Sequence, residues 1–357
     1  MALSVSSREF LKRLLDAPGP SGFETRPARV WRTEAEAFAD SVTTDLSGNS
    51  VAVLNPDARP RLMLAGHIDE IGLMVIHVDD KGYLYFSTIG GWDHQVLVGQ
   101  RVHILGRRGL VDGLVGKPAI HLIKSDDRER VSKPADLWID IGAKTKADAL
   151  KRVRIGDPAV LAAQTVELPN RRIASRSIDN RIGAFVVLEA LRLLARRRPK
   201  IGVFAVATTQ EEIAWSGGGA RTSAFGIDPD IALVVDVTHA TDHPGVEKKE
   251  HGDVALGGGP VLSRGSAVNP VVFEMLVTAA NGAKIPYALT AAPRDTGTDA
   301  DAIHTTQRGI PTGLVSVPNR YMHSPNEMVD TGDLERAAKL LAAFARRVTA
   351  KTDLTPQ

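Results

Sequence analysis

Cysteine is absent from all 357 residues. That excludes disulfides, thiolate nucleophiles and Cys-ligated zinc, so any metal must sit on His and carboxylate ligands. An excess of one charge is also lacking. Lys+Arg number 44 and Asp+Glu 42, a formal net charge of +2, so the overall balance points to no nucleic-acid partner. The basic run at 196–200 reads as cations closing a helix C-terminus, where they complement the helix dipole. No uncharged apolar run approaches the roughly 18–20 residues needed to span a bilayer, so no membrane partner is expected. The N-terminus has no apolar signal-peptide core; it reads as a short amphipathic helix over residues 7–16, stopped by Pro18 and Gly19. The expected location is the cytoplasm.

What is present is an ordinary globular balance. Hydrophobic residues make up 43% and charged residues 24% of the chain, enough for one large domain with a smaller partner and a core that needs no staples. A short strand is read at 61–65, and near-continuous apolar runs at 201–207, 231–237 and 312–317 read as strands buried on both faces. Ser50–Leu54 adds another short strand, and helical patterns lie at 29–38, 181–197 and 331–349. The expected fold is α/β, an α/β/α sandwich around a mixed sheet. Between residues 71 and 164 the pattern changes to short Val/Ile/Gly-rich segments, at 72–78, 82–87, 101–105, 109–115 and 137–141, with one helical stretch at 145–152. That stretch reads as a small β-barrel-like domain inserted into a catalytic domain made of residues 1–70 and 165–357.

Five places put metal-capable or acidic side chains where an apolar strand ends or a helix begins, the edge of an open α/β sheet at which ligands bind. They are Ala65-Gly-His67-Ile-Asp69-Glu70, Ser177-Ile-Asp179-Asn-Arg181, Thr208-Thr-Gln-Glu211-Glu212, Val235-Asp236-Val-Thr238 and Tyr321-Met-His323-Ser-Pro-Asn-Glu327. Two residues apart in extended chain, His67 and Asp69 share a face, so Asp69 can orient the His67 ring. Asp179 reads equally well as a plain helix N-cap. Neighbouring glutamates at a strand end point in different directions, so one can bind metal while the other faces a bound water. Together these places supply the two His and three carboxylates that a co-catalytic pair of divalent ions requires, with a spare carboxylate for the proton of the bridging water.

The five motifs, in this order, resemble those of the glutamyl aminopeptidase family, which includes the tetrahedral TET aminopeptidases. The resemblance runs through nearly the whole chain, including Val115-Gly-Lys117-Pro-Ala-Ile-His121-Leu in the insert. It implies a cytoplasmic metallo-aminopeptidase acting on short peptides, with two divalent ions per subunit, zinc or cobalt. By resemblance Asp179 bridges both ions, His67 and Asp236 complete one site, and Glu212 and His323 the other. Glu211 is implied as the general base and Asp69 as the partner behind His67. Thr298 and Asp299, in a Thr-Gly-Thr-Asp-Ala segment, and His94 in the insert are candidate substrate contacts; Thr298 or Asp299 also reads as a helix N-cap. A homo-oligomer is implied, with a tetrahedral dodecamer built from dimers as its expected form and the insert as the oligomerisation domain.

Two other readings use the same residues. The dinuclear site could serve a deacylase or amidase acting on N-acylated small molecules, or be a vestige in a non-catalytic assembly protein. A glycosidase is a poor fit, because that chemistry uses paired carboxylates rather than a His-containing ligand set.

Overall fold

Four apolar strands, Arg61–His67, Gly202–Thr208, Ile231–His239 and Thr312–Asn319, run parallel side by side and form the centre of the main sheet. Their Val, Leu, Ala and Ile side chains are buried on both faces, which explains why these runs are apolar without alternation. Antiparallel strands flank them: Ser50–Leu54 on one side, Val261–Gly265 on the other. The full order is 41–44, 50–54, 202–208, 61–67, 231–239, 312–319, 261–265, 288–292. The computed structural model describes residues 3–213 and 217–356. Among them no helix is long and apolar enough to cross a membrane.

The helix Ile178–Arg196 is apolar on every side from Ile182 to Leu188, because it packs on the sheet and is covered in turn by Thr331–Ala345 and Val5–Asp16. Each buried Val, Leu or Ile there contributes roughly 1.5–3 kcal/mol of transfer free energy. Two glycines let the helix sit unusually close to its strand: a Cβ on Gly66 would lie 2.5 Å from the carbonyl carbon of Gly183. Asn180 completes the attachment. Its Nδ2 donates to the carbonyl of Val235 at 2.8 Å, and its Oδ1 accepts from Gly183 N at 3.0 Å. The helix N-terminus is therefore held against the ends of two central strands.

Between residues 72 and 161 six strands close into a barrel in the order 72–78, 84–89, 138–140, 109–116, 101–106, 158–161. The barrel has a hydrophobic core of its own, with Leu73, Phe86, Val102, Ile104 and Ile139 at its centre. Pro158–Leu161, not anticipated from the sequence, closes it by pairing with both Gly72–Val78 and Arg101–Gly106.

Several helices differ in extent from the expected ones. The helix expected at 29–38 spans Thr25–Ala35; it begins a turn earlier because Pro27 suits a first helical turn. The stretch at 145–152 forms only one regular turn, Lys146–Ala149. The last long helix ends at Ala345 rather than 349. Gly218–Ile227 and Pro270–Ala283 were not anticipated, although Asn269 followed by Pro270 is a cap-and-start signal, and Asn269 accepts from Val271 N and Val272 N.

Candidate active site

The four parallel strands end on one side of the sheet, and the chemistry gathers there. His67 is the last residue of its strand, paired in register with Thr208, and is 1% exposed. Its Nε2 lies 3.1 Å from Asp179 Oδ1 and 3.8 Å from Asp236 Oδ1. On the other side of the same carboxylate, Asp179 Oδ2 lies 3.4 Å from His323 Nε2, which is also 3.4 Å from Glu212 Oε2. Two groups of possible metal ligands result, His67/Asp179/Asp236 and Asp179/Glu212/His323, with the ligand atoms of each within 4.8 Å of one another. Asp179 is common to both. No other histidine enters a candidate metal group among the described residues.

The structure places Asp179 otherwise than as a helix cap. Ser177 is the N-cap residue, and Asp179 has non-helical backbone angles, with its peptide bond to Asn180 cis. Its carboxylate turns toward the two histidines, and its amide donates to Glu327 Oε2 at 2.9 Å. Glu327 Oε1 accepts from His323 N at 2.8 Å. One buried glutamate thus ties the backbones of the shared ligand and of His323 together. Its motif was visible in the sequence, but this role depends on the return of the chain into Glu327–Asp330 and was not.

Asp69, fully buried, lies with Oδ1 3.4 Å from His67 Nδ1. The same carboxylate accepts from the amides of Glu211 and Glu212, each at 3.2 Å, and from the Ser21 hydroxyl at 2.6 Å. Glu211 sits over the first group, Oε2 3.7 Å from His67 Nε2, while Glu212 reaches the second. The neighbouring glutamates therefore face different groups.

Carboxylates crowd this space. Burial, opposed by His67 and reinforced by Asp236, Asp299 and Glu212, pushes Glu211 up to about 10. Burial and Asp179 raise Glu212, and burial raises Asp236 well above its ordinary range. Burial alone would lower both histidines, but the facing carboxylates win: His67 rises well above its usual value and His323 to about 11. Asp179 moves down, because hydrogen bonds from His323 and His67 outweigh its desolvation. Glu212 Oε1 is buried with no hydrogen-bond partner. An orphaned carboxylate oxygen and a ligand set of two imidazoles and three carboxylates fit borderline divalent ions.

Asp299 is 3% exposed, accepts from the Thr208 hydroxyl, and is raised to about 6 by burial, against the pull of His67. Thr298 caps the helix Asp299–Ile303, accepting from Ala300 N at 3.2 Å. Both line a cavity of about 490 Å³ together with Glu211, Glu212 and Asp301. His94 opens the short turn His94–Leu97 and belongs to neither metal group. Two preceding glycines do reach the site: a Cβ on Gly91 would lie 3.4 Å from His323 Nδ1, and one on Gly90 3.5 Å from Glu212 Oε2. The segment after the barrel strand Leu84–Ile89 therefore walls the second group.

A sequence profile described as M42 glutamyl aminopeptidase matches residues 48–340. The lysyl aminopeptidase of Pyrococcus furiosus is 33% identical over 353 residues, 98% of this chain and 99% of that protein. A TET aminopeptidase from Thaumarchaeota archaeon SCGC AB-539-E09 superposes with a TM-score of 0.92 at 34% identity, covering 97% of each chain. The TET1 peptidase of Pyrococcus horikoshii, which can assemble into a tetrahedron or a large octahedral shell, superposes with a TM-score of 0.84 at 30% identity, covering 96% of this chain and all of that one.

Proposed function

The chain belongs to the M42 glutamyl aminopeptidase family and is a peptide hydrolase, and from that premise we propose that it removes N-terminal residues from short peptides with two divalent ions, zinc or cobalt, sharing Asp179. The observation that carries the proposal is the double reach of Asp179, one oxygen toward each histidine. His67 and Asp236 would hold one ion, Glu212 and His323 the other. Divalent ions there would supply Lewis acidity toward the scissile carbonyl, a water of lowered pKa, and positive charge drawing the clustered carboxylates toward their ionised forms.

The protein's own residues divide the remaining work. Glu211 carries the proton, taking it from the attacking water and delivering it to the leaving amine. Asp69 orients the His67 ring and, through two amides, the Glu211–Glu212 pair. Thr298 and Asp299 are proposed substrate contacts, supported by their place in the cavity beside Glu211; His94 is proposed as an outer contact and does not line that cavity. The residues flanking the barrel, 1–70 and 165–357, form the proposed catalytic domain.

We also propose a homo-oligomer that associates through the barrel. Leu110 and Leu114 on the strand Gly109–Gly116 are 44% and 56% exposed, and the P. horikoshii peptidase supplies a precedent for assembly. Light scattering at micromolar concentration tests it; a monomer contradicts it. The activity is tested with free and N-acetylated aminoacyl reporters after reconstitution with each metal. Cleavage confined to free amines supports the exopeptidase, whereas preference for N-acyl substrates points to the deacylase.

A further inference from the structure

The loop that carries Glu211 is held almost entirely from outside. Four consecutive amides, those of residues 209 to 212, each donate to a side-chain oxygen on a distant segment. Thr209 N donates to Asn49 Oδ1 at 3.0 Å, Gln210 N to Glu24 Oε1 at 3.2 Å, and Glu211 N and Glu212 N to Asp69. All three acceptors are buried: Asn49 is 0%, Glu24 7% and Asp69 0% exposed. Hydrogen bonds of this kind, three of them to carboxylates, each contribute about 0.5–3 kcal/mol net, so the side chains decide where the loop lies.

Glu24 has the least obvious reason to be there. It precedes the helix Thr25–Ala35 as its N-cap residue, yet its side chain makes no capping bond. The carboxylate instead folds back onto Gly22 N at 2.6 Å and across to Gln210 N. Burial and the nearby Asp69 carboxylate push it up to about 7, so holding it there is unfavourable unless the loop position gains from it. Gln210 itself has a φ of +61°, a left-handed conformation that non-glycine residues adopt at a cost of order 1–3 kcal/mol. On the other side of the site the arrangement repeats: His323 has a φ of +59°, and its amide is held by buried Glu327.

We infer that Glu24 is a positioning residue for the reaction, fixing the backbone of Gln210 so that Glu211 points at the reacting water. The inference rests on the proposed role of Glu211. Glu24 touches neither a metal ligand's side chain nor the substrate cavity, so its loss should alter proton transfer and leave binding alone.

The test compares Glu24→Ala and Glu24→Gln in the metal-loaded enzyme, with Glu211→Gln alongside. A misplaced base costs on the order of tenfold to a hundredfold in rate. Glu24→Ala should lower kcat by about that factor, with KM within about twofold and two ions per chain retained by elemental analysis. Amide hydrogen exchange at Gln210 should accelerate. Glu24→Gln, which keeps an acceptor oxygen, should recover most of the rate. If Glu24→Ala does not fold, Glu24→Asp carries the same test, because it keeps the charge and shortens the reach. Parental kcat with unchanged exchange overturns the inference, as does a kcat loss that tracks lost metal or a Glu24→Gln variant no better than Glu24→Ala. Should Glu211→Gln itself turn over normally, the role of Glu211 fails, separately from that of Glu24.

Discussion

Gly66 and Gly183 meet backbone to backbone, one step before His67 on the strand and four residues after Asp179 on the helix. No side chain separates the elements there, so the shared carboxylate reaches the imidazole. Gly66→Ala puts a methyl 2.5 Å from the Gly183 carbonyl carbon, and the helix must move. Overpacking of this kind costs about 1–3 kcal/mol. The expected outcome is a lowered denaturant midpoint and weaker metal retention; an unchanged midpoint and full metal content contradict the close-approach argument.

Glu211 and Glu212 are adjacent but should separate by function. Glu211→Gln should keep both ions and lose about 10²–10⁴-fold in kcat, the usual contribution of positioned proton transfer. Glu212→Gln should lose metal from the group it shares with His323. Elemental analysis beside steady-state kinetics reads both effects, and the reverse pattern would exchange the two roles.

Metal-stripped protein should grow less stable as pH rises. Glu211, at about 10, together with Glu212, Asp236, His67 and His323, has a folded pKa above its unfolded value. Each such group contributes stability that is complete below the unfolded pKa and is lost as pH climbs through the folded one. Asp179 and Asp69 have lowered values and act oppositely, but only in the acidic range below their unfolded pKa of about 3.9. Across about pH 5 to 8 the folded state therefore binds more protons than the unfolded chain. Added zinc or cobalt replaces those protons, so the gap in Tm between loaded and stripped protein should widen over that range. Thermal melts at several pH values check this; a gap that is constant, or that narrows with pH, contradicts it.

How much of this was legible in the sequence depends on how local each signal is. His67 and Asp236 stand out because an apolar run ends on one and reaches the other just before its end, and a parallel strand must deliver its C-terminal residues to the same edge. Asp179 was ambiguous, since a carboxylate before a helix has the same local pattern whether it caps or coordinates; only the Asn180 and Glu327 attachments turn it toward the histidines. Glu24 and Ser21 gave no signal at all, because the site residues they hold, Gln210 and Asp69, lie more than 40 residues away and neither continues an apolar period. The barrel was readable from its short strands, but its closing segment at 158–161 opens on a proline, which argues locally against a paired strand. The reach of Gly90 and Gly91 to the site depends on how the barrel sits, which no local pattern states.

Whether one carboxylate serves two ions is read from the metal stoichiometry of Asp179→Asn. The amide keeps the shape but cannot place negative charge on both groups at once. Ions per chain should fall from two toward zero, with both sites affected and turnover abolished. A folded variant that binds two ions with near-parental affinity and turns over normally would contradict the sharing of Asp179.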